Sequence, residues 1–208
     1  MEDVLDVYHW AYAPAFPQVC LDETSRQLIG EVRTPVAVAP GQPARQDDEY
    51  VRNGVATLFL VTAPLRGWRE VIVTDQRTAT DFAHVLRALV DIHYPTAERI
   101  VLVLDTLNTH TPAALYAAFP PAEAKRIADR LEWHDTPKHG SWLKMAEIEF
   151  SVLSRQCLDR RIADKATLIT EVAAWVADRN RAGVGVKWRF TPADARIRVQ
   201  HLYPTIPA

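Results

Sequence analysis

The spacing of apolar and polar residues changes along the chain near residue 75. Residues 17–29, 54–63 and 70–74 are apolar or alternating runs separated by prolines, glycines and polar residues, a pattern typical of antiparallel strands. In the later half, apolar residues recur at helical spacing, and Ile100–Leu104 is a continuous run of β-branched residues and leucine. Such a run predicts a central strand that is buried on both faces. We therefore predict an α/β fold with a mixed sheet flanked by helices.

The periodic segments of the later half predict several helices. They run over 82–93, from 111, from 120, over 143–157, over 164–181 and from 192. Residues 1–16 contain four aromatic residues and a proline, and are interpreted as an extended lead-in segment. The chain is thus divided into the lead-in at 1–16, a main domain at 17–185 and a C-terminal tail with a short helix at 186–208.

Composition narrows the class of protein. The chain has 208 residues with 48% apolar residues, so we expect a packed globular core. Its formal charge of -2 argues against a complete stand-alone DNA-binding protein, which is typically basic. Cys20 and Cys157 lie in apolar stretches and are interpreted as core thiols in a reducing cytosol. Apolar runs stay well short of the roughly 20 residues of a membrane span, so no membrane partner is expected.

Three acidic residues carry the candidate chemistry. Asp22 and Asp105 lie where apolar strands end, and Glu147 lies early in a predicted helix. A carboxylate at the edge of a core needs a partner, and no basic residue follows at a spacing that predicts one. The simplest partner is a divalent metal ion. A metal ion held by carboxylates is what metal-dependent phosphoryl transfer on nucleic acid requires.

Two segments around these acids resemble a known family. They are Asp105-Thr-Leu-Asn-Thr-His110 and residues 136–149, Thr-Pro-Lys-His-Gly-Ser-Trp-Leu-Lys-Met-Ala-Glu-Ile-Glu. With these motifs, residues 19–190 resemble the catalytic domain of bacterial insertion-sequence transposases of the mariner superfamily, which are of the DDE type. The resemblance implies a ribonuclease H-like fold and a protein of the bacterial cytoplasm.

The resemblance also implies an activity and its residues. The family's catalytic and metal-binding triad maps onto Asp22, Asp105 and Glu147, with two Mg²⁺ or Mn²⁺ ions as cofactors. The implied reaction is cleavage of phosphodiesters at transposon ends, followed by attack of the freed 3′ hydroxyl on target DNA. Implied partners are therefore transposon-end and target DNA, with a possible homodimer on that DNA.

Glu147 and Glu149 compete for the third position of the triad. They lie about 200° apart around a helix, so both cannot face one point. Each flanks the apolar stripe of the helix at a similar angle, and periodicity does not choose between them. The motif selects Glu147, which leaves Glu149 as a surface or structural acid.

Two residues depart from the family pattern. Thr106 and Lys144 stand where the family commonly has asparagine. Lys144 precedes Glu147 by three residues on the helix, so it could pair with Glu147 and compete with metal, or it could contact DNA phosphate. His110, Lys138 and His139 are further candidates, either for a supporting role beside the metal site or for contact with DNA.

Two rival functions follow from these departures and from the family's architecture. Lys144 motivates a catalytically silent transposase remnant that binds DNA or a full-length transposase. A simple ribonuclease H-like nuclease would cleave without joining strands. Related transposases carry helix-turn-helix modules before the catalytic domain, whereas Asp22 lies close to Met1, so we expect only weak, nonspecific DNA binding from this chain alone.

Overall fold

The centre of the molecule is a five-stranded mixed sheet. In the computed structural model, which describes residues 1–43, 47–105, 110–137 and 140–203, the strand order is β3-β2-β1-β4-β5. The strands are β1 (Gln18–Glu31), β2 (Tyr50–Ala63), β3 (Trp68–Thr74), β4 (Ile100–Leu104) and β5 (Leu131–Asp135). β1, β2 and β3 pair antiparallel, while β4 is parallel to both β1 and β5. The predicted mixed sheet is thus confirmed.

Helices cover both faces of this sheet. They are α1 (Glu2–His9), α2 (Ala79–Ala88), α3 (Ala113–Ala118), α4 (Pro121–Ala128), α5 (Met145–Gln156), α6 (Lys165–Ala182) and α7 (Pro192–Arg198). A π-helical turn extends α2 over Leu89–His93, and 3₁₀ turns cover Ser141–Leu143 and Gln200–Leu202. Polar caps fix several helix starts. Thr78 and Asp81 form a capping box at α2, for example, because each side chain accepts a backbone N–H of the other.

Two apolar cores lie on opposite faces of the sheet, because successive strand residues point to opposite sides. Val19 and Leu21 of β1 join the core beneath α2, α3 and α4. Cys20, between them, joins the core beneath α1, α5, α6 and α7. β4 contributes to both cores, and every residue of that strand is buried. The continuous apolar run of β4 therefore has the cause that the sequence predicted.

The lead-in segment departs from its predicted form. The prediction that residues 1–16 are extended is wrong, since Glu2–His9 forms α1. Val4, Leu5 and Val7 of this helix have no exposed surface and pack into the core beneath α5. Tyr8 donates a hydrogen bond of 2.8 Å to the carbonyl of Leu143. Residues before β1 are therefore part of the folded core.

Candidate active site

Strand register brings the first two acids together. Cys20 of β1 pairs with Val103 of the parallel strand β4. Asp22 and Asp105 each lie two residues further along the same direction, so they reach the same edge of the sheet on neighbouring strands. Cys20 and Val103 both face the core beneath α5, and the two-residue period directs Asp22 and Asp105 toward that same side.

Helix α5 supplies the other members of the site from its first turn. Lys144 is the N-cap residue of α5, and Glu147 lies in the first turn. The Nζ atom of Lys144 lies 2.9 Å from Oδ1 of Asp22, 3.3 Å from Oδ2 of Asp105 and 3.5 Å from Oε1 of Glu147. The three acids selected from the sequence thus surround one nitrogen atom.

The buried carboxylates have a basic partner after all. The expectation that no basic residue would pair with them is wrong, since the Lys144 ammonium contacts Asp22 across 122 residues of sequence. Burial alone would lower the pKa of Lys144, but the hydrogen bond and charge of Asp22, aided by Asp105, outweigh burial and raise it. Lys144 is therefore charged at neutral pH.

Asp22 and Asp105 respond differently to this surrounding. Burial raises the pKa of Asp22, and the hydrogen bond from Lys144 offsets only part of that effect. Burial also acts to raise the pKa of Asp105, but the hydrogen bond from His110 and the charge of Lys144 lower it to about 2. Asp105 is the more firmly ionised of the two.

His110 anchors Asp105 from the side opposite Lys144. Its Nδ1 lies 2.5 Å from Oδ1 of Asp105, and its Nε2 lies 2.9 Å from Oε2 of Glu23. The ring stacks on Phe82 with a centroid distance of 4.6 Å. Burial acts to lower the pKa of His110, but the two carboxylates outweigh it and raise the pKa to about 9. Both ring nitrogens therefore carry protons and donate.

Glu23 was not selected from the sequence as a site residue. There it was only the neighbour of Asp22 at a strand end that could be solvated. In the structure its side chain is 3% exposed, as it pairs with His110. Alternation along β1 places Glu23 on the opposite face from Asp22, and His110 connects it to Asp105. A buried acid beside a histidine is a contact between distant segments, and sequence spacing carries no signal for it.

Glu149 faces the interior, away from the triad. Its Oε1 lies 2.8 Å from Nε of Arg69 and 2.9 Å from an Nη of Arg179, and its side chain is 2% exposed. The side chain of Glu147 is 43% exposed and points to the site. Glu149 is thus a structural acid that links α5 to β3 and α6.

A family model decides the relationship. Residues 17–169 match the model described as a DDE superfamily endonuclease, which is most of the chain. The chain belongs to this DDE endonuclease family. The match spans Asp22, Asp105 and Glu147, and it extends from just before β1 into α6.

Solved structures of mariner transposase complexes are similar to this DDE domain in fold. The Mos1 mariner paired-end complex with Mn has a TM-score of 0.53 and 16% identity over 88% of this chain and 57% of that chain. The Mos1 strand transfer complex has a TM-score of 0.54 and 16% identity over the same shares. The paired-end complex with Mg has a TM-score of 0.53 and 18% identity over 87% of this chain and 53% of that one.

These likenesses support the ribonuclease H-like fold that the sequence predicted. The DDE domain spans little more than half the length of the mariner transposases it matches. A search of curated proteins found no match to it.

The donor set of the site suits hard divalent cations, since Asp22, Asp105 and Glu147 all offer carboxylate oxygen. Lys144 already places a positive charge among these oxygens. Over the described ranges of the chain, no group of three or more His, Cys, Asp or Glu side chains is arranged tightly enough to hold a metal ion. The acids are present in the right chemistry, and Lys144 stands at the point where they meet.

Three residues named from the sequence lie outside the described residues: Thr106, Lys138 and His139. For these the sequence predictions stay predictions. Within the part of the chain that the structure covers, no helix has the length and apolar character needed to cross a bilayer.

Proposed function

We propose that this chain is the catalytic domain of a DDE transposase. It would cleave phosphodiesters at transposon ends and transfer the freed strands to target DNA. One observation carries this proposal: Asp22, Asp105 and Glu147, supplied by β1, the end of β4 and the start of α5, all reach the same ammonium nitrogen. Membership of the DDE endonuclease family gives that cluster its chemical meaning.

The three carboxylates would hold Mg²⁺ or Mn²⁺, with two ions in the scheme that the family resemblance implies. Bound divalent ions would activate the attacking water and neutralise charge on the leaving oxygen. The support for metal is the carboxylate donor set, together with the presence of Mn and Mg in two of the similar mariner complexes.

The surrounding residues prepare the carboxylates for this role. His110 fixes the orientation of Asp105 through one oxygen, and Glu23 fixes the orientation of His110. Such a supporting hydrogen bond holds a ligand in place and keeps it ionised. Glu147 is the most exposed of the three acids, so the scissile phosphate would approach from its side.

DNA is the proposed partner, as transposon ends and as target. Transposition joins two ends, so a homodimer on DNA is part of the proposal. Its support is the fold similarity to mariner structures described as paired-end and strand transfer complexes. Recognition of a particular terminal sequence is not assigned to this chain.

A nicking and strand-joining assay tests the proposed function. Supercoiled plasmid and a duplex oligonucleotide with a free 3′ hydroxyl are incubated with the protein and Mn²⁺. We expect nicked plasmid and joined product from the wild type and neither from Asp105→Ala. Asp129→Ala is the matched control, because Asp129 is 61% exposed and pairs only with Lys125 on α4. Cleavage that survives Asp105→Ala would refute the proposal.

The position of Lys144 favours one alternative. An ammonium that satisfies all three acids removes their need for metal, as expected of a catalytically silent remnant that binds DNA or a full-length transposase. Calorimetry without detectable Mg²⁺ or Mn²⁺ binding, together with an inactive wild type in the plasmid assay, would establish that alternative.

A further inference from the structure

We propose that the Lys144 ammonium permanently occupies one cation position of the site, so that this chain binds a single divalent ion rather than two. The inference rests on the proposed function, because it concerns how the same acids are neutralised. It assigns Lys144 a role in the site itself, as a cation supplied by the protein.

The geometry of Lys144 is that of a fixed ligand-like group. Its ammonium has three N–H donors, and three carboxylates lie within 3.5 Å of Nζ. Its side chain is only 6% exposed, whereas an unattached surface lysine extends into water. The nearest two partners are Asp22 and Asp105, so the position it fills lies between the two strand acids.

The oxygens that remain are enough for one ion. Asp105 gives Oδ1 to His110 and Oδ2 to Lys144, so both of its oxygens already face cationic donors. Oδ1 of Asp22 accepts from Lys144 and from the backbone N–H of Glu23. Among the described residues, Oδ2 of Asp22 accepts no hydrogen bond, and Glu147 is the most exposed of the three acids. These two carboxylates define one open side of the site.

The charge balance leads to the same conclusion. Four carboxylates, those of Asp22, Glu23, Asp105 and Glu147, share the site with two cations, His110 and Lys144. The excess of two negative charges matches one divalent ion. A second divalent ion would leave excess positive charge beside two fixed cations, and like charges at these distances repel strongly in a poorly solvated site. DNA phosphate would then be needed to offset it.

Metal stoichiometry tests the inference on the intact chain. Mn²⁺ binding is measured by isothermal calorimetry and by electron paramagnetic resonance, without DNA. We expect one Mn²⁺ per wild-type chain and two per Lys144→Asn chain, because asparagine removes the charge and offers an amide oxygen. Lys144→Arg is the charge-conserving control and should bind one. Near-UV circular dichroism checks that each variant is folded.

Wild-type protein that binds two ions overturns the inference, and so does wild-type protein that binds none. These results need no variant, so misfolding of Lys144→Asn cannot shield the inference. A folded Lys144→Asn chain that still binds one ion also overturns it. The proposed function fails differently, by absence of Asp105-dependent cleavage, whatever the number of ions bound.

Discussion

Glu149 and Arg69 form a salt bridge of 2.8 Å in the interior, with side chains that are 2% and 1% exposed. Two residues earlier on the same helix, Glu147 faces the candidate site and is 43% exposed. The about 200° between these positions separates the two acids into different surroundings. One helix thus uses one glutamate for the core and offers the other for chemistry.

Opposite effects are expected when these two glutamates are replaced. Glu149→Ala leaves Arg69 and Arg179 without their shared carboxylate, so we expect a loss of about 3–5 kcal/mol in the free energy of unfolding. Glu147→Ala removes a half-exposed acid and should change that free energy by no more than about 1 kcal/mol. Urea denaturation followed by circular dichroism gives both values.

The same pair separates the two roles in cleavage. We expect Glu147→Ala to lower plasmid nicking by roughly 100-fold, which corresponds to about 2.7 kcal/mol of transition-state stabilisation. Glu149→Gln, which keeps the shape of the side chain, should nick plasmid at the wild-type rate at a temperature where it is folded. A reversed pattern would place the third acid at Glu149 and contradict the assignment.

Which parts of this arrangement could be predicted follows from the range of each interaction. The run Ile100–Leu104 identified β4 with its full bounds, because burial on both faces leaves a local mark in the sequence. The choice of Glu147 came from a motif, since the helical pattern of α5 treats both glutamates alike. The pairing of Glu149 with Arg69 joins residues 80 positions apart, and nothing local announces it.

Removal of the Lys144 charge should destabilise the protein in the absence of metal. Lys144→Met leaves Asp22, Asp105 and Glu147 facing one another, so we expect a loss of about 3–5 kcal/mol in the free energy of unfolding in EDTA. Added Mn²⁺ should restore part of this loss in the variant and have a smaller effect on the wild type. Thermal unfolding with and without Mn²⁺ measures both effects, and equal stability of the two proteins in EDTA would contradict the prediction.

The N-terminal helix should influence the loop that carries Lys144. The hydroxyl of Tyr8 donates to the carbonyl of Leu143, and its ring packs 5.2 Å from Trp188. Tyr8→Phe keeps the ring and leaves that buried carbonyl without this donor, so we expect a loss of about 1–3 kcal/mol. Hydrogen exchange should show faster opening of residues 143–146. Tyr12→Phe is a matched control, because Tyr12 is 46% exposed.

The helical form of residues 2–9 was missed for a physical reason. α1 is only eight residues long, and its N-cap residue, Met1, makes no side-chain hydrogen bond to the helix. Such a short helix is marginal on its own, and packing of Val4, Leu5 and Val7 against the sheet stabilises it. The contact of Lys144 with the strand acids was hidden in the same way, because only its neighbour Glu147 is close in sequence.

The pH dependence of stability should reveal the contacts of His110 with Glu23 and Asp105. The folded pKa of His110 is raised to about 9, whereas an unfolded histidine titrates near 6.5. Its stabilising contribution is therefore fully present below about pH 6.5 and is lost as pH rises through about 9. Asp105 has the opposite sign: its folded pKa is lowered to about 2, so its contribution is present above about pH 4 and is lost as pH falls through about 2.

The measurement compares the wild type with His110→Gln in EDTA by urea denaturation at pH 6, 7.5 and 9. We expect the wild type to be more stable at pH 6 by up to about 3 kcal/mol, and this difference to shrink steadily toward pH 9. Lys144 keeps its charge across this range because its pKa is raised, so it does not mask the effect. Arg77, the other cation facing Glu23, lies 4.0 Å away and is common to both proteins. A difference that stays constant from pH 6 to 9 would show that His110 is not held as an imidazolium between its two carboxylates.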